Sequence, residues 1–456
     1  MSMGEETNKM TVLLVATIAS FLTPFMASSV NVALPVIANE LTVNAILLSW
    51  ITTSFLLTSA MLAVPFGRIA DIYGMKRIFI IGIIIFTIAT FMASLSPFVE
   101  FLIFSRVLQG VGSSMIFVTG LAIISSVFPP SEMGRAIGIN VTAVFIGLVM
   151  GPVLGGLFTQ YLGWRSIFYL MVPLGILVTI LVIFKLKGRE WAGCKGEKLD
   201  KIGSLLYALS LLLVLVGFSQ ITILIGKIML VLGIISLIAF VLWELRTPQP
   251  VLEMRLFIKN RKFAFSNLAA LISFTGTFAV VFLLSLYLQF IRGLDPRAAG
   301  LVLATQTLFM AFMSPVAGRL SDRYESRILA SIGMTITTVG LIIFSFLNAD
   351  TSFYVILFSL VLLGIGAGIF STPNTHAVMN SVKKRYFGVA SATISTMRIV
   401  GQTLSMGMVL VIFSIYVGAV QFNPGNYPQL LQSISTAFTI SAILGFIAIF
   451  ASLARN

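Results

Sequence analysis

The chain has 456 residues, 58% of them hydrophobic and 10% charged, and its mean hydropathy is +1.06. About a quarter of the residues of a water-soluble domain are charged, so this composition cannot cover an aqueous surface, and the bilayer is the expected solvent. The formal charge of +14 then reflects basic loops on one membrane face, with no nucleic acid as partner, while a lone Cys194 and a lone His376 exclude an internal disulfide, a thiolate metal site and histidine-rich catalytic centres.

Runs long enough to cross the hydrocarbon core, about 20 apolar residues each, fall near 10–37, 46–66, 78–96, 101–127, 136–160, 166–186, 202–222, 226–243, 264–290, 298–317, 328–347, 353–380, 386–418 and 434–453. The first is too long for a signal-peptide core of roughly 7–15 residues and reads as a retained span. With the N-terminus inside, the cytoplasmic loops collect about 21 of the 29 Lys and Arg residues. The outer loops hold Arg165, Lys227, Arg292 and Arg297. An even number of spans with both termini cytoplasmic follows.

Along the chain, the first span carries an uncharged polar cluster, "FMASSVNVALP", with Asn31 near its end. At the end of the second stands "PFGRIADIYGMKR", containing Gly67, Arg68, Asp71, Gly74 and Arg77. The fourth holds Arg106, an arginine at membrane depth, which is costly and normally faces a bundle interior or a water-filled cavity, with Gln109 one turn on. The fifth contains "GLVMGPVLGG". Its Gly147, Gly151 and Gly155 form a stripe that permits close helix contact, and Pro152 removes a backbone donor. A charged stretch, "KLKGREWAGCKGEKLDK", precedes the seventh and eighth spans.

Two segments then repeat. "PVAGRLSDRYESR", with Gly318, Arg319 and Asp322, echoes the motif around Gly67, and "LLGIGAGI" echoes "LQGVGSSM" at nearly the same offset. A duplicated six-span bundle explains both, with spans seven and eight inserted. The expected division is 1–187 for the first bundle, 188–262 for the linker, extra spans and cytoplasmic loop, and 263–456 for the second bundle. All fifteen Asp and Glu residues fall outside the middle of the spans. Asn267, Gln289, Gln306 and Asn374 are further polar residues at depth, and Arg398 with Gln402 lies in the thirteenth span.

These motifs resemble the major facilitator superfamily, and within it the branch of fourteen-span drug:proton antiporters. "GRIADIYGMKR" is similar to its loop 2–3 signature, "RVLQGVGSSM" to its fourth-span signature and "GLVMGPVLGG" to its fifth-span antiporter pattern. "WRSIFYLMVPLG", "PVLEMRLFIKNRKF" and "SLYLQFIRGLDPRAAGL" are similar to the fourteen-span branch. The resemblance implies an all-α integral membrane fold of two six-helix bundles plus two inserted helices. It implies a gate in which Asp71 faces the start of span thirteen and Asp322 faces span five. The fifth-span motif, Gly147, Gly151, Pro152, Gly155 and Gly156, implies export. A cavity between spans one, four, nine and twelve implies Asn31, Arg106, Gln109 and Asn374 as substrate contacts.

The expected function is secondary active export of small amphipathic or hydrophobic compounds by a monomer in the plasma membrane. Alternating access is expected, with a proton as counter-ion and no cofactor or enzymatic step. No nucleotide-binding "GxxxxGK[ST]" occurs. One departure matters: relatives carry an aspartate in the first span where Met26 stands here. Glu100, Asp71, Asp322 and His376 are the remaining candidates for the titrating group. Export of an anionic metabolite or lipid, suggested by Arg106 in a cavity without carboxylates, and facilitation without a proton are the alternatives.

Overall fold

The computed structural model describes residues 9–185, 197–321, 323–382 and 387–454. Among the described residues, fourteen helices are long and apolar enough to span a membrane. They are α1 (Lys9–Glu40), α2 (Ala45–Tyr73), α3 (Met75–Ser94), α4 (Val99–Ile124), α5 (Gly138–Leu162), α6 (Arg165–Phe184) and α7 (Lys201–Ser219). There follow α8 (Leu224–Arg246), α9 (Arg261–Ile291), α10 (Pro296–Ser321), α11 (Ser326–Ser345), α12 (Phe353–Asn380), α13 (Val389–Tyr416) and α14 (Pro424–Leu453). Among the described residues there is no β-strand, only an isolated antiparallel bridge between Asn44 and Gln421. An even number of crossings puts Lys9 and Leu453 at one end of the molecule, here the terminal end.

Local chemistry sets the breaks. Asn44 caps α2, its side chain accepting from Leu47 N at 2.9 Å. The apolar run of the second span stops near residue 66, yet α2 continues to Tyr73, because Ala70 finds a core with Ile78 and Met115. Only Gly74 is left to turn the chain into α3. Its φ of 118° is open to glycine and rarely to other residues, and its N–H still bonds Ala70 O at 2.9 Å. The last turn of α9 widens into a π-helical turn, Tyr287–Ile291, closed by Arg292 N on Tyr287 O at 3.0 Å.

The first bundle packs α1 against α4, α5 and α6, α2 against α4, and α3 against α4 and α6. The second repeats the pattern, with α9 against α13 and α14, α10 against α12, and α11 against α12 and α14. The inserted pair sits at the seam. Helix α7 lies on α2 of one bundle and α13 of the other. Tyr207 donates its hydroxyl to Ala60 O on α2 at 3.0 Å, and Ser414 of α13 donates to Ser219 O at 3.1 Å. Helix α8 packs on α7 and turns Ile225, Ile235 and Ile238 outward, a face that suits lipid.

The bundles meet at the end opposite the termini. Ala45 N donates to Val420 O at 3.1 Å, Gln421 Nε2 to Thr42 O at 2.7 Å and Arg297 Nη1 to Tyr161 Oη at 3.0 Å. At the same end Glu40 ties the first bundle together, pairing with Arg165 and accepting from Trp164 Nε1 at 2.8 Å. The Glu40–Arg165 pair is part-exposed and contributes about 0–1 kcal/mol, so packing rather than charge holds this end.

Candidate substrate path and gate

Helix α1 is enclosed by six helices of the two bundles, yet Leu14, Ile18, Phe21, Pro24 and Ala27 stay at least partly exposed. They recur every three or four residues and mark a stripe open toward the terminal end. Asn31 continues the stripe at its closed tip, where it is buried and its Oδ1 accepts from Thr52 Oγ1 at 3.0 Å. Met26 lies on the other side of the helix, fully buried in the hydrophobic core. Next to Asn31, the carbonyl of Val32 accepts from Gln289 Nε2 at 2.8 Å, so the π-helical turn of α9 delivers a second-bundle amide onto α1. In the sequence Gln289 reads only as a polar residue at depth. What sets its role is the non-local meeting of α1 and α9.

Arg106 is wholly buried within the first bundle. Its Nε donates to Ile51 O at 3.1 Å and Nη1 to Gln109 Oε1 at 2.7 Å, while Gln109 Nε2 donates to Thr90 Oγ1 at 2.7 Å. The guanidinium also lies 4.3 Å over the Phe55 ring. Among the described residues Nη2 has no hydrogen-bond partner. One cation thus ties α4 to α2 directly and to α3 through Gln109. On the other side of the molecule Asn374 is buried in α12, and Gln306 of α10 is nearly buried with its Oε1 unpartnered. Asn31 and Asn374 come from α1 and α12, the central helices of the two bundles, whereas Arg106 and Gln109 are turned into the first bundle's own packing.

The fifth-span motif is a set of close approaches. A Cβ on Gly147 would stand 2.7 Å from Phe21 O, and one on Gly155 2.8 Å from Ser29 Cβ. A Cβ on Gly151 would collide with Ser28. These three therefore seat α5 on α1. Gly156 does a different job: there a Cβ would run into Pro296 O of α10, and one on Gly300 of α10 would run into Pro152 O. Pro152 and Gly156 belong to the contact between bundles.

The repeated motif around Gly67 and Gly318 lies at the terminal end. Arg68 pairs with Glu197, and both are charged neighbours of Asp71. Around Gly67 and Gly318 space is left: a Cβ there would find Val118 at 4.0 Å and Thr372 at 3.5 Å, each in its own bundle. Arg319 closes the last turn of α10. Asp322 lies outside the described residues, as does Cys194. Of the other titrating candidates, Glu100 is exposed in the first turn of α4. His376 lies 3.4 Å from Ser326 Oγ and 3.0 Å from Asn380 Nδ2.

Two bundles closed on each other at one end, with buried polar residues in their central helices, define a membrane transport protein. A profile of the Major Facilitator Superfamily matches residues 16–267 and 266–455, and the chain belongs to that family. It is 32% identical, over 95% of its length and 93% of the relative's, to the "Riboflavin transporter RibZ" of Clostridioides difficile (strain 630). It is 30% identical, over 83% of its length and 71% of the relative's, to the "Multidrug resistance protein Stp" of Mycobacterium tuberculosis (strain CDC 1551 / Oshkosh). Among solved structures its fold matches a bacterial homologue of the human lysosomal transporter Spinster, in an inward-facing and unoccupied conformation. The TM-score there is 0.71 at 19% identity, covering 99% of both chains.

Proposed function

We propose that this protein is a secondary active exporter of small amphipathic compounds. It works by alternating access across the plasma membrane, as a monomer with both termini cytoplasmic and a proton as counter-ion. The observation that carries the reading is the seal in which Gly156 and Gly300 bring α5 and α10 into backbone contact. A contact held by the absence of side chains can close tightly and still part. With the terminal end inside, the arrangement described is the inward-open one, and the stripe on α1 is the wall a substrate meets first.

The substrate class follows from what faces that wall. Asn31, Gln289, Gln306 and Asn374 offer neutral donors and acceptors, and Met26, standing where the resembled antiporter branch usually has an acid, is buried. Neutral, hydrogen-bonding, partly aromatic compounds suit such a site better than organic cations. Riboflavin has this chemistry, and the similarity to the clostridial transporter makes it the first compound to test. In proteoliposomes, labelled riboflavin is expected to move against its gradient when a pH difference is imposed, and a cationic dye to move poorly. Dye transport without riboflavin transport would reverse the assignment of substrate class. Indifference to the pH gradient would remove the proton. Transport of an anion is the second reading, favoured by the unpartnered Nη2 of Arg106. It requires an anion flux that is lost in Arg106→Gln.

A further inference from the structure

The base of the inserted α7–α8 hairpin holds a buried carboxyl that the transport reading does not use. Glu244, in the last turn of α8, is 0% exposed. Its Oε2 accepts from Leu252 N at 2.9 Å. Its Oε1 is buried and meets no donor. Packed beside it is another carboxyl, that of Asp200, the residue that caps α7. Both face Gly203, where a Cβ would touch Glu244 Oε1 and Asp200 Oδ2 together. Asp200 already accepts from Gly203 N at 2.9 Å and from Trp243 Nε1 at 2.9 Å. Two carboxylate oxygens packed against one glycine are both acceptors and repel each other unless one of the carboxyls holds a proton.

The surrounding charges do not remove the need for that proton. Lys198 and Lys201 beside Asp200, Arg246 at the end of α8 and Arg255 of the short helix Met254–Lys259 are all exposed. Arg255 donates to Leu245 O at 3.3 Å, and Arg68 of α2 pairs with Glu197. Glu253 adds a further acid, and Tyr207 on α7 gives its hydroxyl to Ala60. Among the described residues, Asp200 is the charged group that faces Glu244.

We propose that Asp200 and Glu244 form a proton-binding site, and that the proton fastens the inserted hairpin to the gate. With the proton in place, Glu244 holds Leu252 and the 247–253 loop, which leads through Met254–Lys259 to the second bundle. Asp200 holds the start of α7, three residues after the Glu197 that pairs with Arg68 of the gate motif. Without it, two adjacent carboxylates repel, Glu244 is driven toward water, and the loop at Leu252 is released. The site therefore links the gate motif of the first bundle to the entry of the second. It does not depend on which solute the protein carries.

Infrared spectroscopy of the purified full-length protein tests this directly. At neutral pH the wild type is expected to show the carbonyl stretch of a protonated carboxylic acid, lost on raising the pH. The band should also be lost in both Glu244→Gln and Asp200→Asn. Both variants conserve the fold: glutamine can accept from Leu252 N and donate to Asp200, and asparagine remains a good helix cap that can donate to Glu244. A neutral-pH spectrum without the acid band, as a metal cation in the proton's place would give, overturns the proposal. So does a band that survives both substitutions.

Discussion

Arg106 concentrates the residue-scale argument. A guanidinium at this depth is tolerated because two of its nitrogens reach acceptors on α2 and α4 and its face covers Phe55. Hydrogen bonds from a charged donor contribute about 1.5–3 kcal/mol each, and Arg106→Ala leaves Ile51 O and Gln109 Oε1 without theirs. Transport per inserted molecule should fall about tenfold or more. Arg106→Lys should recover part of it, since an ammonium keeps the charge but not the fork. Wild-type rates in Arg106→Lys would show that the fork geometry is dispensable. The cost of this arginine was legible in the sequence, because charge at depth is rare. Gln109, one turn on in the same helix, was legible too, but Ile51 and Phe55 were not, because only packing brings α2 near. The same holds for Glu244, which reads as one more acid at a helix end and becomes a buried pair only once Asp200 folds against it.

At the scale of elements, the spans were legible because apolar length is a local property, and all fourteen are present. The end of α2 was not. Gly67 to Tyr73 is polar enough to read as loop, and tertiary contacts of Ala70 extend the helix through it. Within α5, "GLVMGPVLGG" looks like one packing stripe, but it divides by rotation around the helix. Gly147, Gly151 and Gly155 serve contact within a bundle and Gly156 contact between bundles. The division makes a prediction. Gly156→Ala places a methyl group against Pro296 O only while the far end is closed, and overpacking of this kind costs about 1–3 kcal/mol. It should shift the population toward the state open at that end by about tenfold. Gly151→Ala, whose clash with Ser28 lies within one bundle, should instead lower thermal stability. Alkylation of single cysteines placed along the α5–α10 seam reads the first effect, and a melting curve the second. If Gly156→Ala leaves labelling unchanged, the seam is not a moving part.

For the whole molecule, the question is whether the closed far end opens during the cycle. Its latch is specific: Asn44 and Gln421 form an antiparallel bridge, Ala45 N bonds Val420 O, and Gln421 reaches Thr42 O. Residues facing each other across such a bridge have Cα atoms about 4.5–5.5 Å apart, within the range a disulfide accepts. Cys194 is the chain's one cysteine, so a Cys194→Ser background carrying Asn44→Cys and Gln421→Cys has a single possible internal pairing. Loss of the Asn44 cap costs about 1 kcal/mol, which a protein with this much buried surface tolerates. Oxidation should arrest transport almost completely and reduction should restore it, while each single cysteine variant stays active under both conditions. The arrested protein should still take up substrate from the terminal side, because locking the far end leaves the stripe from Leu14 to Asn31 untouched. A cross-linked protein that transports at the wild-type rate would mean that the bundles do not part at Asn44 and Gln421. The solute path would then have to avoid the seam on which the alternating-access reading is built.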